Sequence, residues 1–221
     1  MICMFKKIFM LLAAAIMCCN VPAAEAAVDL SVLNANPTNI SVVLDTPAGY
    51  AAEPERVYTS IRESLDRIFP NKSIYKIQPI EDNEAYVQVY REEHDQAASV
   101  DDGYTAGNGM RDLTLKKSDL ATLNDHFGSD YLVYIRITNS VPQIKVDWFS
   151  AGQQVNVTMD FRVWSKAKND FIYIKRTMTT GKSTSYYAGM GDSGHAIEKG
   201  IKKGLAEVEK EATKIRMAMT E

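Results

Sequence analysis

The chain has 221 residues, 46% of them hydrophobic, with 25 Lys and Arg against 28 Asp and Glu, a formal net charge of −3. That length suits one domain with a substantial core, and the mildly acidic balance leaves no footprint for nucleic acid or anionic lipid as a bulk partner. All three cysteines, Cys3, Cys18 and Cys19, fall in the first 19 residues.

The N-terminus has the three-part layout of a secretory signal. Lys6 and Lys7 open it, Ile8 to Ile16 is an apolar run too short for a permanent membrane span, and Ala24-Glu25-Ala26 is a small-x-small cleavage pattern. Residues 1–26 are therefore read as a signal peptide, with the mature chain periplasmic or secreted. Removing Lys6, Lys7 and Glu25 leaves 23 basic and 27 acidic residues in a 195-residue mature chain. That chain has no cysteine, hence no disulfide and no thiolate chemistry. No later apolar run approaches 18 residues, so no transmembrane helix is expected. The competing reading is lipidation at Cys18 or Cys19. The residues just before them, Met17 and Cys18, are not the small residue that a lipidation site carries at that position.

Residues 27–39 form an extended leader, and 40–221 a single α/β domain. Ile40 to Leu44 reads as a buried strand ended by Asp45-Thr46-Pro47. Pro54 suits a first helical turn, and Val57, Ile61, Leu65 and Ile68 form one apolar stripe before Pro70-Asn71. Ser73 to Ile77 is a short strand. Glu81 to His94 is read as helix on its acidic start, although Tyr86, Val87, Val89 and Tyr90 favour strand. Gln96 to Gly109 is expected to be a loop. Ser118 is the expected cap of the next helix, with Leu120, Leu123 and Phe127 inward and Gly128 as its left-handed stop.

Tyr131 to Thr138 is a strong strand. Val155 to Trp164 and Phe171 to Thr179 make a hairpin, with Val155, Val157, Met159, Phe161 and Val163 on one face and Asn156, Thr158, Asp160 and Arg162 on a wetter one. A long helix from His195 to Met219 carries Ile197, Ile201, Leu205, Val208, Ala212, Ile215 and Met219 in one stripe. Gly200 and Gly204 within it imply close packing on the sheet. The expected fold is α+β: a mixed sheet with helices packed mainly on one face and a long C-terminal helix.

The run Leu120 to Val133, with its Gly128-Ser129-Asp130-Tyr131 junction into an apolar strand, resembles bacterial envelope domains of the TolB N-terminal, CsgG and LpoB type. The order of elements from Ile40 to Met219 follows theirs, including Phe161-Arg162-Val163-Trp164 in the hairpin. The hairpin turn departs from it, with Lys168-Asn169-Asp170 where an acidic-Gly turn is usual. The resemblance implies an envelope domain that binds other proteins or self-associates, and it carries no catalytic residue.

No motif supplies chemistry of its own. Gly189-Met190-Gly191-Asp192-Ser193-Gly194 spells G-x-G-x-x-G, but it lacks the strand immediately before it and a parallel strand after the helix, so it reads as a loop with Asp192 or Ser193 as helix cap. Gly181-Lys182-Ser183-Thr184 fails as a Walker A tail because position 176 is Arg. Asp192, Ser193 and His195 have triad types without triad geometry, since immediate neighbours cannot place a base on a nucleophile and an orienter behind it. His94, His126 and His195 show no metal-ligand spacing. No catalytic residue, metal or cofactor is expected, and the chain is read as non-enzymatic.

The aromatics give the better lead. Trp148-Phe149 and Tyr186-Tyr187 lie in expected loops flanking the hairpin, where exposed rings would form a protein-binding surface. The alternatives are a small-ligand or hydrolytic pocket near Asp192, Ser193 and His195, or a self-assembling envelope component.

Overall fold

The computed structural model describes residues 37–46, 54–101, 115–148, 150–186 and 191–221, with backbone alone at 54, 95–101, 147 and 186. The expected signal peptide and nearly all of the leader lie outside these residues. Eleven elements follow in chain order: β1 (Thr38–Asp45), α1 (Pro54–Ile68), β2 (Tyr75–Ile77), α2 (Ile80–Asp101), α3 (Lys117–Phe127), β3 (Tyr131–Asn139), β4 (Gln143–Asp147), β5 (Ser150–Ser165), β6 (Asp170–Tyr186), α4 (Ser193–Glu209) and α5 (Ala212–Thr220).

They build an α+β fold on a six-stranded mixed sheet. β1 lies between β2 and β3 and runs parallel to both. β5 runs antiparallel to β3 along Val157–Ser165, to β4 along Ser150–Gln154, and to β6 over its whole length. β4 therefore takes over where β3 stops, on the same side of β5. It was not evident in the sequence, because Gln143-Ile144-Lys145-Val146-Asp147 is short and half charged.

The first face of the sheet carries the larger core. Ile40, Val42 and Leu44 of β1, Val133, Ile135 and Ile137 of β3 and the alternate series Val155 to Val163 of β5 are buried there under α1, α4 and α5. The period-two alternation selects these residues, and their burial is the main stabilising term. α4 lies very close to the strands. A Cβ on Gly181 would sit 1.7 Å from the Ala196 carbonyl oxygen, and one on Gly200 would sit 2.5 Å from a Val157 methyl. Glycine is required at both positions by the approach of another chain segment.

α2 and α3 cover one end of the second face. Val87, Tyr90, Leu120 and Leu123 pack there on Val43, Leu132, Tyr134 and Trp164. Residues 81–94 are helical as read, and the helix continues to Asp101, into the stretch expected to be loop. The remainder of that stretch lies outside the described residues.

Four local features bear on the sequence reading. The start of α3 is fixed by Asp119, whose Oδ2 accepts the Lys116 N–H at 2.7 Å, while Ser118 sits inside the first turn. Gly128 has φ 61° and ends α3 as expected. Asn169 takes φ 48° in the β5–β6 turn, supplying the left-handed residue that glycine would otherwise provide. The C-terminal stripe is apolar along its length, but the rod is broken at Lys210–Glu211 into α4 and α5. Glu211 has φ −102° and ψ 14°, and its carboxylate accepts from the Tyr173 hydroxyl at 3.1 Å and pairs with Lys175 of β6, so the break is tied to the sheet.

Candidate functional site

β4, the start of β5 and the end of β6 form a three-stranded arm. α4 begins at Ser193, and its first turn lies against Gly181, which pairs with Val155. Ile144 and Val146 pair with Gln153 and Ala151, beyond that turn, and no described helix covers them. They are consequently exposed, Val146 to 74%, together with Val141 before β4 and Trp148 in the β4–β5 turn at 96%. Trp148 was singled out from the sequence, and the structure places it at the end of the arm. Phe149 and Tyr187 lie outside the described residues. Tyr186 is the last residue of β6, paired with Ser150, and its side chain is not described. The aliphatic neighbours of Trp148 were missed because β4 was missed. The available signal was the apolar, charged, apolar alternation of Ile144-Lys145-Val146. Contiguous exposed apolar side chains around a Trp are the ordinary composition of a protein-binding patch.

The second sequence candidate is spent on structure. Asp192 is the N-cap of α4, its Oδ1 accepting the Gly194 N–H at 2.9 Å. His195 Nδ1 lies 3.5 Å from Glu198 Oε2, which also has Arg56 at 3.8 Å, and Lys202 reaches the other carboxylate oxygen at 2.7 Å. The Lys202 hydrogen bond holds the Glu198 carboxyl below its ordinary pKa, against the opposing effect of burial. Asp192 and His195 therefore face separate partners. The glycine at 191 is explained by packing: a Cβ there would meet the Ser183 carbonyl oxygen at 2.4 Å. Gly181-Lys182-Ser183-Thr184 lies within β6 and forms no loop.

A polar network that no motif announced occupies the middle of the second face. Asp45, at the C-terminal end of β1, is buried and pairs in register with Arg136 of β3. Its carboxylate accepts the Tyr134 hydroxyl, meets Arg91 NH2 of α2 at 2.6 Å and lies 4.0 Å from Arg136 Nε. Burial first, then the Asp45 charge, pushes the Tyr134 phenol far above its ordinary pKa, so it stays a donor. The Arg162 guanidinium stands 5.9 Å over the Tyr134 ring and 5.5 Å over that of Phe171. Asp160, expected on a wet face, is only 7% exposed, because Arg176 Nε at 2.9 Å and Arg162 at 4.0 Å close over it. The Nε atoms of Arg91 and Arg162 are buried without an acceptor. The network joins residues 45, 91, 134, 136, 160, 162 and 176, which are far apart in the chain and show no local spacing.

Among the described residues, no helix is long and apolar enough to cross a membrane. No family model and no curated protein matches the chain. Several solved structures are similar in outline. Lipoprotein GNA1162 from Neisseria meningitidis aligns over 80% of this chain and 99% of its own, at 13% identity and a TM-score of 0.34. A minor lipoprotein from Acinetobacter baumannii aligns over 80% and 92%, at 9% identity and a TM-score of 0.37. The PelC dodecamer from Paraburkholderia phytofirmans aligns over 80% and 89%, at 11% identity and a TM-score of 0.34. All three are bacterial and two are lipoproteins by name, and at these scores the likeness decides nothing about this chain.

Proposed function

We propose that this is an exported protein of the bacterial cell envelope that has no enzymatic activity and acts by binding another envelope protein through its β4–β5 arm. The observation that carries the reading is the patch of Val141, Ile144, Val146 and Trp148, left uncovered where α4 begins too late to reach it. A tryptophan that is 96% exposed contributes little to folding, whereas buried against a partner it contributes a large part of a binding energy. The signal pattern of residues 1–26 supports a periplasmic or secreted address, and the resemblance to TolB, CsgG and LpoB type domains supports a non-catalytic binding role.

The test is site-specific photocrosslinking in whole envelopes, with the photoreactive residue at position 148 or, as a control, at Lys199 on the exposed side of α4. Position 148 should give a discrete protein adduct that disappears in the Val146→Ser background, and position 199 should give none. No adduct at 148, or the same adducts at both positions, overturns the reading. Mass measurement of the mature chain in the same preparation distinguishes cleavage near Ala26 from lipidation at Cys18 or Cys19.

A further inference from the structure

The second face of the sheet offers another surface, and its chemistry names a partner class. Strand register places Tyr134 and Arg136 of β3, Asp160 and Arg162 of β5, Ile174, Arg176, Met178 and Lys182 of β6 and Lys145 of β4 on that one face. Beyond the cover of α2 and α3, register places five cationic residues there, Arg136, Arg162, Arg176, Lys145 and Lys182, against three acidic ones, Asp45, Asp147 and Asp160. The chain as a whole has more acids than bases, so this face is a local reversal of its charge. Ile174 and Met178 flank Arg176 along β6 and are 60% and 79% exposed.

We infer that this face binds an acidic, extended peptide segment of a partner protein, with its carboxylates on Arg162 and Arg176 and its apolar side chains on Ile174 and Met178. The inference rests on the protein-binding reading and adds a second contact of defined chemistry. Three observations favour an extended peptide. Ile174, Arg176 and Met178 recur every second residue, about 6.8 Å apart, which is the spacing of alternate side chains in an extended chain. Asp160 takes the Nε–NH2 edge of Arg176 and so orients the guanidinium, leaving the outer NH1–NH2 edge of this exposed side chain to face a second carboxylate. A phosphate layer would set negative charge over the whole face, Asp45 and Asp160 included, whereas an extended peptide places single carboxylates at Arg162 and Arg176.

The test uses the full chain and two fluorescein-labelled octapeptides, one alternating Glu with Val and one alternating Lys with Val, read by fluorescence anisotropy. The Glu peptide should bind at least tenfold more tightly than the Lys peptide and weaken as salt is raised. The double change Arg162→Gln and Arg176→Gln should lower its affinity at least tenfold. Because that change leaves Asp160 unpaired and risks the fold, Ile174→Asp serves as the second variant: it adds charge at an exposed position without emptying the core, and a loss of similar size is expected. Equal binding of the two peptides overturns the inference, as does full affinity in Ile174→Asp. So does tighter binding to phosphatidylglycerol vesicles that the Glu peptide fails to displace. Val146→Ser separates the two surfaces, since it should leave Glu-peptide affinity unchanged while removing the adduct formed from position 148. Peptide binding without an adduct at 148 refutes the arm reading alone, and an adduct without peptide binding refutes this inference alone.

Discussion

The two faces of this sheet are made by the same strands and have different fates. On the first, α1, α4 and α5 cover β1, β3, β5 from Val155 onward and the facing part of β6, glycines at 181 and 200 let α4 lie almost on the backbone, and Ile144 and Val146 of the arm are left bare beyond the start of α4. On the second, the apolar cover of α2 and α3 ends near Tyr134 and Trp164; the ion network of Asp45 and Asp160 follows, and then exposed Ile174 and Met178. β5 alternates from Val155 to Val163, so along that stretch the difference lies in where the helices stop. Where a face is covered it builds stability. Where it runs out of helix it leaves side chains for recognition, and on the second face the margin needs ion pairs because Asp45 and Asp160 are buried there.

The contrast is sharpest for core truncation. Phe161→Ala, under α4, should destabilise by about 4 kcal/mol, while Ile174→Ala on the open face should stay within about 0.5 kcal/mol, both read by urea denaturation. Comparable losses at the two positions would break the comparison. Gly181→Ala pushes a methyl into the Ala196 carbonyl and should cost about 3 kcal/mol, with α4 forced off the sheet and its amide protons exchanging faster. Asp45→Asn removes the charge that Arg91 and Arg136 face and should cost about 2 kcal/mol, measured the same way at neutral pH.

A smaller effect is acid sensitivity on the first-face margin. The Glu198 carboxyl is held below its ordinary pKa of 4.5 in the fold, chiefly by the Lys202 hydrogen bond. A depressed acid stabilises the fold fully above that ordinary value, and the contribution is lost as pH falls through the folded-state pKa. The urea midpoint should therefore fall below pH 4.5, and Glu198→Gln should flatten part of that fall. An unchanged pH profile in the variant would show that the Lys202 contact contributes nothing. The smallest effect is expected at Trp148→Ser, within about 0.5 kcal/mol, because the side chain is 96% exposed. A larger loss would mean that the ring supports the fold.

Much of the first face was legible in the sequence, because its signals are local and periodic. The stripe Val57, Ile61, Leu65 and Ile68 became α1, the alternation Val155 to Val163 became the buried side of β5, and Gly128 ended α3. The arm was legible only at Trp148. Its aliphatic neighbours depended on β4, a five-residue strand whose pairing partner sets it, and short strands carry too few residues for periodicity to reveal them. The break at Glu211 was likewise hidden, since the C-terminal stripe passes through it uninterrupted and the cause is a contact with Tyr173 and Lys175 of a distant strand.

The chain by itself determined the elements with strong period, the α+β class and the absence of cysteine from residue 20 onward, because each of these is set by neighbours within a few residues. Only the tertiary structure decided that Asp45, Arg91, Tyr134, Arg136, Asp160, Arg162 and Arg176 share one network, and that the apolar residues of β4 stay uncovered. Both follow from strand register and from where α4 starts relative to its sheet, and those are fixed by contacts between residues far apart in the chain.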